Sequence, residues 1–307
     1  MLSLLNVKSE RFLKVQIDPI SGALGAEITG VDLSELSTQA FKAVNQALLE
    51  HQVIFFPFQN LSTTEHRDFA KLFGELDTPK FSPPFDTPKV KGHPEIYQLL
   101  KEADDQTINV GGFWHADVTH RERPHKLSVI YVKESPDYGG DTLFSNLYMA
   151  YETLSEGMKN MLEGMKAVHS SEMPFGGAEA RSSAISRSHN SQSGNVKLKI
   201  ENVEGEFVET LHPVIRTHPE TNRKLLYVNR GFTSHFEGMT REESFPLLDY
   251  LWKHCERSEF TCRYRWKAGS LGIWDNRCVN HNALNDYYGQ RRLLHRISVN
   301  EEIRPQG

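Results

Sequence analysis

The chain is poor in cysteine, has no long apolar run and carries no excess of either charge, and each shortage excludes a class of protein. Cysteine occurs three times in 307 residues, at Cys255, Cys262 and Cys278, with no CxxC pair. That excludes a disulfide scaffold and fits free thiols in a reducing compartment, so a cytoplasmic protein is expected. Apolar runs are short, as in Val53-Ile54-Phe55-Phe56, against the ~20 residues of a membrane helix. The start, MLSLLNVKSERF, offers no basic leader and no small-residue cleavage site, and secretion is not expected. Lys and Arg number 35 against 40 Asp and Glu, interspersed, so there is no basic footprint for nucleic acid.

What is there is an ordinary globular composition, 38% hydrophobic and 24% charged. A chain of this length buries about three quarters of its unfolded surface and needs no covalent staples. One abundance points to chemistry: 14 histidines, the residue that most often ligates metal.

Apolar and polar residues alternate over 12–33, with Gly22, Gly25 and Gly30 at turns, which predicts short strands. Phe41, Val44, Leu48 and Leu49 have helical spacing between Thr38 and His51, and a buried strand is expected at 53–58. Ser62-Thr63-Thr64-Glu65 and Thr240-Arg241-Glu242-Glu243 are capping boxes, each opening a helix, the second over 241–255. Further strands are expected at 113–118, 127–133, 142–145, 207–217, 224–229, 259–266, 270–275 and 291–299. A helix from Tyr148 to about Lys166 is expected to turn its methionines into the core. Prolines over 77–94, the polar run 102–112 and the Ser- and Gly-rich stretch 171–195 predict loops, the last a mobile insert. Many short strands with few helices predict a single α+β domain over 1–307, built round a β-sandwich or jelly roll.

In Trp114-His115-Ala116-Asp117 an imidazole and a carboxylate stand two residues apart, a spacing that on a strand turns both to one face. Alone, the pair reads equally well as a histidine bonded to a nearby acid. Far downstream lie Ile273-Trp274-Asp275-Asn276-Arg277, then His281, then Arg291-Arg292-Leu293-Leu294-His295-Arg296. On a strand, Arg292, Leu294 and Arg296 share one face, and Arg291, Leu293 and His295 share the other. A buried guanidinium is costly without an anion, so the inward arginines either form structural ion pairs or meet an anionic ligand. Two imidazoles and one carboxylate with positions left open form the donor set of non-heme Fe(II) oxygenases, and zinc hydrolases use similar sets.

Taken in order, WHADVTH, GGDTLF, LHPVIRTHP, LYVN, IWDNR, His281 and RRLLHR resemble the taurine dioxygenase and 2,4-dichlorophenoxyacetate dioxygenase family of Fe(II)- and 2-oxoglutarate-dependent oxygenases. The likeness covers nearly the whole chain, and GAEITGVDL, EGMT and FTCRYRWK look closest to its phenoxypropionate branch. The resemblance implies a double-stranded β-helix with flanking helices and an iron held by His115, Asp117 and His281. It also implies that Arg292 and Thr142 bind the far carboxylate of 2-oxoglutarate, that O2 is consumed, and that succinate and CO2 are released. Arg296 is then placed to meet an anionic group of the substrate, and the chain to assemble as a homodimer or tetramer. A zinc hydrolase would leave Arg292 and Thr142 without a role. A non-catalytic jelly-roll binder of metal or 2-oxoglutarate would not need all three ligands.

Where taurine dioxygenases carry a His and a Tyr, this chain reads Asp77-Thr78-Pro79-Lys80-Phe81-Ser82, so the imidazole that would hold a sulfonate is missing. The loop 108–113 is apolar, and Phe81, Val110 and Phe113 are candidates to face the substrate body. The expected reaction is hydroxylation of a small anionic molecule, an aryloxyalkanoate or related carboxylate, with ether cleavage where the hydroxylated carbon bears oxygen. A sulfonate or alkyl sulfate is the alternative. Trp114 and Trp274 adjoin ligand positions and are expected either to orient them or to fill the core. His120, His125, His169, His235 and His254 are expected away from the metal, as are His212 and His218, which satisfy local hydrogen bonds.

Overall fold

The computed structural model describes residues 15–78, 88–105, 111–175 and 207–307. Its strands are β1 (Gln16–Pro19), β2 (Ala26–Thr29), β3 (Val53–Phe56), β4 (Lys89–Val90), β5 (His93–Lys101), β6 (Leu127–Glu134), β7 (Thr142–Asn146) and β8 (Lys166–Ser170). They continue as β9 (Glu209–Pro213), β10 (Ile215–Thr217), β11 (Lys224–Leu226), β12 (Thr233–Phe236), β13 (Thr261–Tyr264), β14 (Leu271–Asp275), β15 (Val279–Ala283) and β16 (Arg292–Val299). The helices are α1 (Thr38–His51), α2 (Thr63–Lys71), α3 (Leu147–Glu152), α4 (Glu156–Leu162), α5 (Glu172–Phe175) and α6 (Arg241–Cys255).

Eight strands form one sheet in the order β1-β2-β3-β14-β6-β16-β5-β4, and the smaller sheets are β13-β7-β15, β12-β8-β9 and β10-β11. A hydrophobic cluster joins them: Phe55, Val132, Trp274 and Leu294 of the large sheet meet Phe144, Val279, Tyr264 and Trp266. Phe55 stacks on Tyr264 with ring centroids 3.6 Å apart. A second cluster covers the other face of the large sheet, where Ile54, Phe56, Ile273 and Ile297 pack against Val44 and Leu48 of α1 and Phe69 of α2. Neighbouring residues therefore point to opposite cores, the period-two alternation of a sheet buried on both sides. The result is the expected jelly-roll, double-stranded β-helix core with helices packed outside it.

Helix starts follow local chemistry. Ser37 caps α1 by accepting from the Ala40 amide, and both expected capping boxes form, at Ser62–Glu65 and Thr240–Glu243. The single helix expected from Tyr148 to Lys166 is instead two. Asn146 caps α3 and Ser155 caps α4, and Gly164, at φ +75°, turns the chain into β8. Met161 is consequently exposed, whereas Met158 and Met165 pack at the edge of the core. Part of the expected loop at 77–94 is a hairpin, β4 turning into β5 at Gly92 with φ +81°. Most of the insert expected at 171–195, and both Phe81 and Val110, lie outside the described residues. Among the described residues no helix is long and apolar enough to cross a membrane.

Candidate metal centre

His115 and Asp117 do not lie on a strand, as the spacing predicted. His115 makes one antiparallel bridge to His281. Its amide donates to the His281 carbonyl at 3.0 Å, and the His281 amide donates back to the His115 carbonyl at 2.7 Å. Directly opposed residues in such a pair share a face, so the two imidazoles meet, their centroids 4.2 Å apart. The chain then turns, with Val118 at φ +48°, and the turn carries Asp117 back to the bridge. Asp117 Oδ1 ends 3.4 Å from His115 Nε2 and 3.8 Å from His281 Nε2. All three side chains are buried, with ligand atoms within 4.8 Å of one another.

Neighbouring groups decide which atoms remain for a metal. His115 Nδ1 donates to the Phe113 carbonyl at 2.8 Å, which leaves the Nε2 lone pair facing Asp117. Asp117 Oδ2 accepts from Ser128 Oγ at 2.8 Å and pairs with Arg296 Nη2 at 2.5 Å, which leaves Oδ1. Asn276 fixes the backbone: its Oδ1 accepts from the Asp117 amide at 2.6 Å, and its Nδ2 donates to the carbonyls of Asp117 and His125, each at 3.0 Å. Two glycines admit the His115 ring. A Cβ on Gly111 would lie 2.8 Å from His115 Cε1, and one on Gly231 would lie 2.8 Å from His115 Cβ. The Trp274 ring lies 4.7 Å from that of His281, and the Arg296 guanidinium is 5.8 Å from the same indole.

Burial alone would raise the Asp117 pKa, but Arg296 foremost and the two imidazoles hold it well below the usual carboxylate range. Burial, with His115 beside it, drives His281 well below the ordinary histidine value. An anionic carboxylate and a neutral imidazole are the ligating forms. Two nitrogens and one oxygen of this softness fit Fe(II).

The parity of β16 is settled by its neighbours. Leu294 belongs to the core between the sheets and Ile297 to the core under the helices, so Arg292 and Arg296 face inward and His295 outward. Arg292 is 7% exposed, its Nε has no hydrogen-bond partner, and burial lowers its pKa. An unsatisfied buried donor of this kind fits a carboxylate ligand. Thr142 sits opposite Ala283, one side-chain pair along from Phe144 and His281, and therefore on the metal face of the small sheet. Its Oγ1 accepts from Trp266 Nε1 at 2.9 Å, leaving its own proton to donate. Phe113 is half-buried with its ring 4.9 Å from that of His115.

Sequence reasoning missed Ser128, Asn276, Gly111 and Gly231. Ser128 was visible as the one small polar residue inside the apolar run LSVIYV, and Asn276 lies within the quoted IWDNR. The rest of IWDNR builds a second cluster, His218, Asp275 and Cys278. There Asp275 is bound by Arg277 Nε at 2.8 Å and Nη2 at 2.6 Å, and by His218 Nε2 at 3.1 Å.

A family model, the taurine catabolism dioxygenase TauD, TfdA family, matches residues 16–298. The chain belongs to that family. It is an Fe(II)- and 2-oxoglutarate-dependent dioxygenase. It is 35% identical to an alkylsulfatase of Acinetobacter baylyi, over 94% of this chain and 86% of that one. It is 34% identical to an alpha-ketoglutarate-dependent sulfate ester dioxygenase of Pseudomonas putida, over 95% and 91%. A crystal structure described as a putative alpha-ketoglutarate-dependent taurine dioxygenase from Burkholderia xenovorans superposes with a TM-score of 0.76 at 33% identity, covering 95% of this chain and 94% of that one. The expected leaning towards the phenoxypropionate branch is not carried by these similarities. A (S)-phenoxypropionate/alpha-ketoglutarate-dioxygenase of Delftia acidovorans is 30% identical over 88% of this chain and 89% of its own. The short segments that suggested that branch are outweighed by similarity along the full length.

Proposed function

We propose that the enzyme oxidises a small organic sulfate ester, hydroxylating the carbon that bears the ester oxygen. The observation that carries this is Arg296. It is the second inward guanidinium of β16, pairs with the iron ligand Asp117, and keeps a buried Nε without a partner. A tetrahedral oxyanion beside the centre would satisfy it. The choice of sulfate over the carboxylate favoured by the motifs rests on the names of the relatives at 35% and 34% identity.

Bound Fe(II) supplies oxygen activation, coupling decarboxylation of 2-oxoglutarate to insertion of one oxygen atom into a C–H bond. The residues supply position. Arg292 and Thr142 would hold the far carboxylate of 2-oxoglutarate, and Arg296 would hold the sulfate, presenting the adjacent carbon to the centre. Hydroxylation there gives a carbon bearing both OH and sulfate. Its C–O bond to sulfate breaks, the electron pair leaves with sulfate, and loss of the hydroxyl proton leaves an aldehyde. An aryloxyalkanoate is the second reading, favoured by Asp77. This acid stands where the sulfonate-binding imidazole was sought, and is tied to His125 at 2.8 Å and Arg121 at 3.1 Å. A panel of alkyl sulfates, sulfonates and aryloxyalkanoates, scored for succinate and for the cleaved product, tests the proposal. Sulfate released one for one with succinate supports it; turnover of aryloxyalkanoates alone overturns it.

A further inference from the structure

We propose that Tyr97 donates its hydroxyl to the sulfate group of the substrate, beside Arg296. The inference deepens the proposed function and rests on the reading of Arg296 as the anchor of that anion. β5 lies between β4 and β16, and the two registers set Tyr97 opposite Lys89 on one side and opposite Arg296 on the other. Opposed residues of antiparallel strands share a face, so the three form one row across the sheet. Two residues along that face, Leu99 and Leu294 pack into the core between the sheets, whereas Ile96, the chain neighbour of Tyr97, packs into the core under the helices. Tyr97 therefore points to the metal side of the sheet, next to the guanidinium that pairs with Asp117.

The Tyr97 ring is half-buried, with Lys89 Nζ 5.9 Å from its centroid, and among the described residues its hydroxyl has no hydrogen-bond partner. A tyrosine under cover usually gives its hydroxyl one. The charged groups that act on this hydroxyl are Asp77, Arg296 and Arg121. Asp77 is already paired with His125 at 2.8 Å and with Arg121 at 3.1 Å. Burial foremost, and Asp77 after it, push the Tyr97 hydroxyl up to about 12, so it keeps its proton at neutral pH and is a donor. Arg296 adds an unpartnered Nε from the adjacent strand, its Nη2 being held by Asp117 and Ser128. A sulfate ester has three terminal oxygens, and one guanidinium edge meets at most two of them. The third needs a donor from another direction, which a phenol on the neighbouring strand supplies. A carboxylate has only the two oxygens that the guanidinium already takes.

The test is steady-state kinetics of the Fe(II)-loaded enzyme with butyl sulfate, octyl sulfate and phenoxyacetate, comparing the native chain with Tyr97→Phe, which keeps the ring and removes the hydroxyl. KM for both alkyl sulfates should rise about tenfold, the effect of losing one hydrogen bond to a charged group. Over the same comparison kcat and KM for 2-oxoglutarate should change less than about twofold, since the lost contact binds substrate and transition state alike. The rise should be equal for butyl and octyl sulfate, because the hydroxyl meets the headgroup and not the chain. Unchanged KM for both sulfates overturns the proposal. So does a rise confined to octyl sulfate, which puts the tyrosine on the alkyl chain, and so does a fall in kcat shared by every substrate, which makes the residue structural. If the native enzyme turns over phenoxyacetate and neither sulfate, the sulfate reading fails and the role of Tyr97 with it. If it turns over the sulfates and Tyr97→Phe leaves their KM untouched, only Tyr97 is wrong.

Discussion

Two buried His–Asp clusters lie on either side of Asn276, near the turn from β14 into β15, and only one is built to hold metal. His115, Asp117 and His281 bring three ligand atoms together, as do His218, Asp275 and Cys278. Composition and burial do not separate them; hydrogen-bond accounting does. In the first, every strong partner is spent on the far side of a ligand: Phe113 on His115 Nδ1, Ser128 and Arg296 on Asp117 Oδ2. The lone pairs that face inward stay free. In the second, Arg277 takes both oxygens of Asp275, and His218 donates its Nε2 proton to the same carboxylate. His218 Nδ1 accepts from the amides of Glu220 and Thr221, at 3.2 and 3.1 Å, and burial pushes the Cys278 thiol well above its ordinary value. No lone pair is left for an ion, so the second cluster is a structural lock, tying β14 to the turn after β10.

The comparison can be broken most sharply by removing one carboxylate at a time. Asp117→Ala should abolish succinate formation, a loss of at least about a thousandfold. Asp275→Asn should do the reverse in kind. It leaves Arg277 buried without its main anion and should destabilise the fold by about 3–5 kcal/mol, read by urea denaturation. Asn276→Ala lies between the clusters. Removing the side chain that grips the Asp117 backbone should weaken metal binding about 10- to 100-fold while the protein still folds. The smallest effect is on pH. Burial would raise the Asp275 pKa, but Arg277 foremost and then His218 hold it far below the ordinary carboxyl value. Its contribution is therefore complete above about pH 4 and drains away as pH falls. The native acid limb should be steeper than that of Asp275→Asn by up to about 1.4 kcal/mol per pH unit below pH 4.

Local signals were legible in the sequence where local chemistry decides the outcome. Ser62, Thr240 and the helical spacing of 38–51 act within a few residues of themselves, and those helices form as expected. The break at Ser155 was equally local, an N-cap with Glu156 in the first turn, but the run of apolar spacing across it obscured the signal. The metal site was reached through its motifs, yet the strand geometry offered for His115 and Asp117 was mistaken. A bridge of one residue followed by a left-handed valine cannot be seen in a spacing of two. It is held by Asn276, whose partners lie far away in the chain. The parity of β16 was readable only as two alternatives, since both faces of the large sheet are covered and alternation alone does not say which core lies where.

The most direct test is the number of ions held and where they are held. Fe(II) should bind the native chain and Asp275→Asn at one ion per chain, measured by calorimetry without oxygen, and should not bind His281→Ala. A second ion on the native chain, lost in Asp275→Asn, or an ion retained by His281→Ala, would contradict the account.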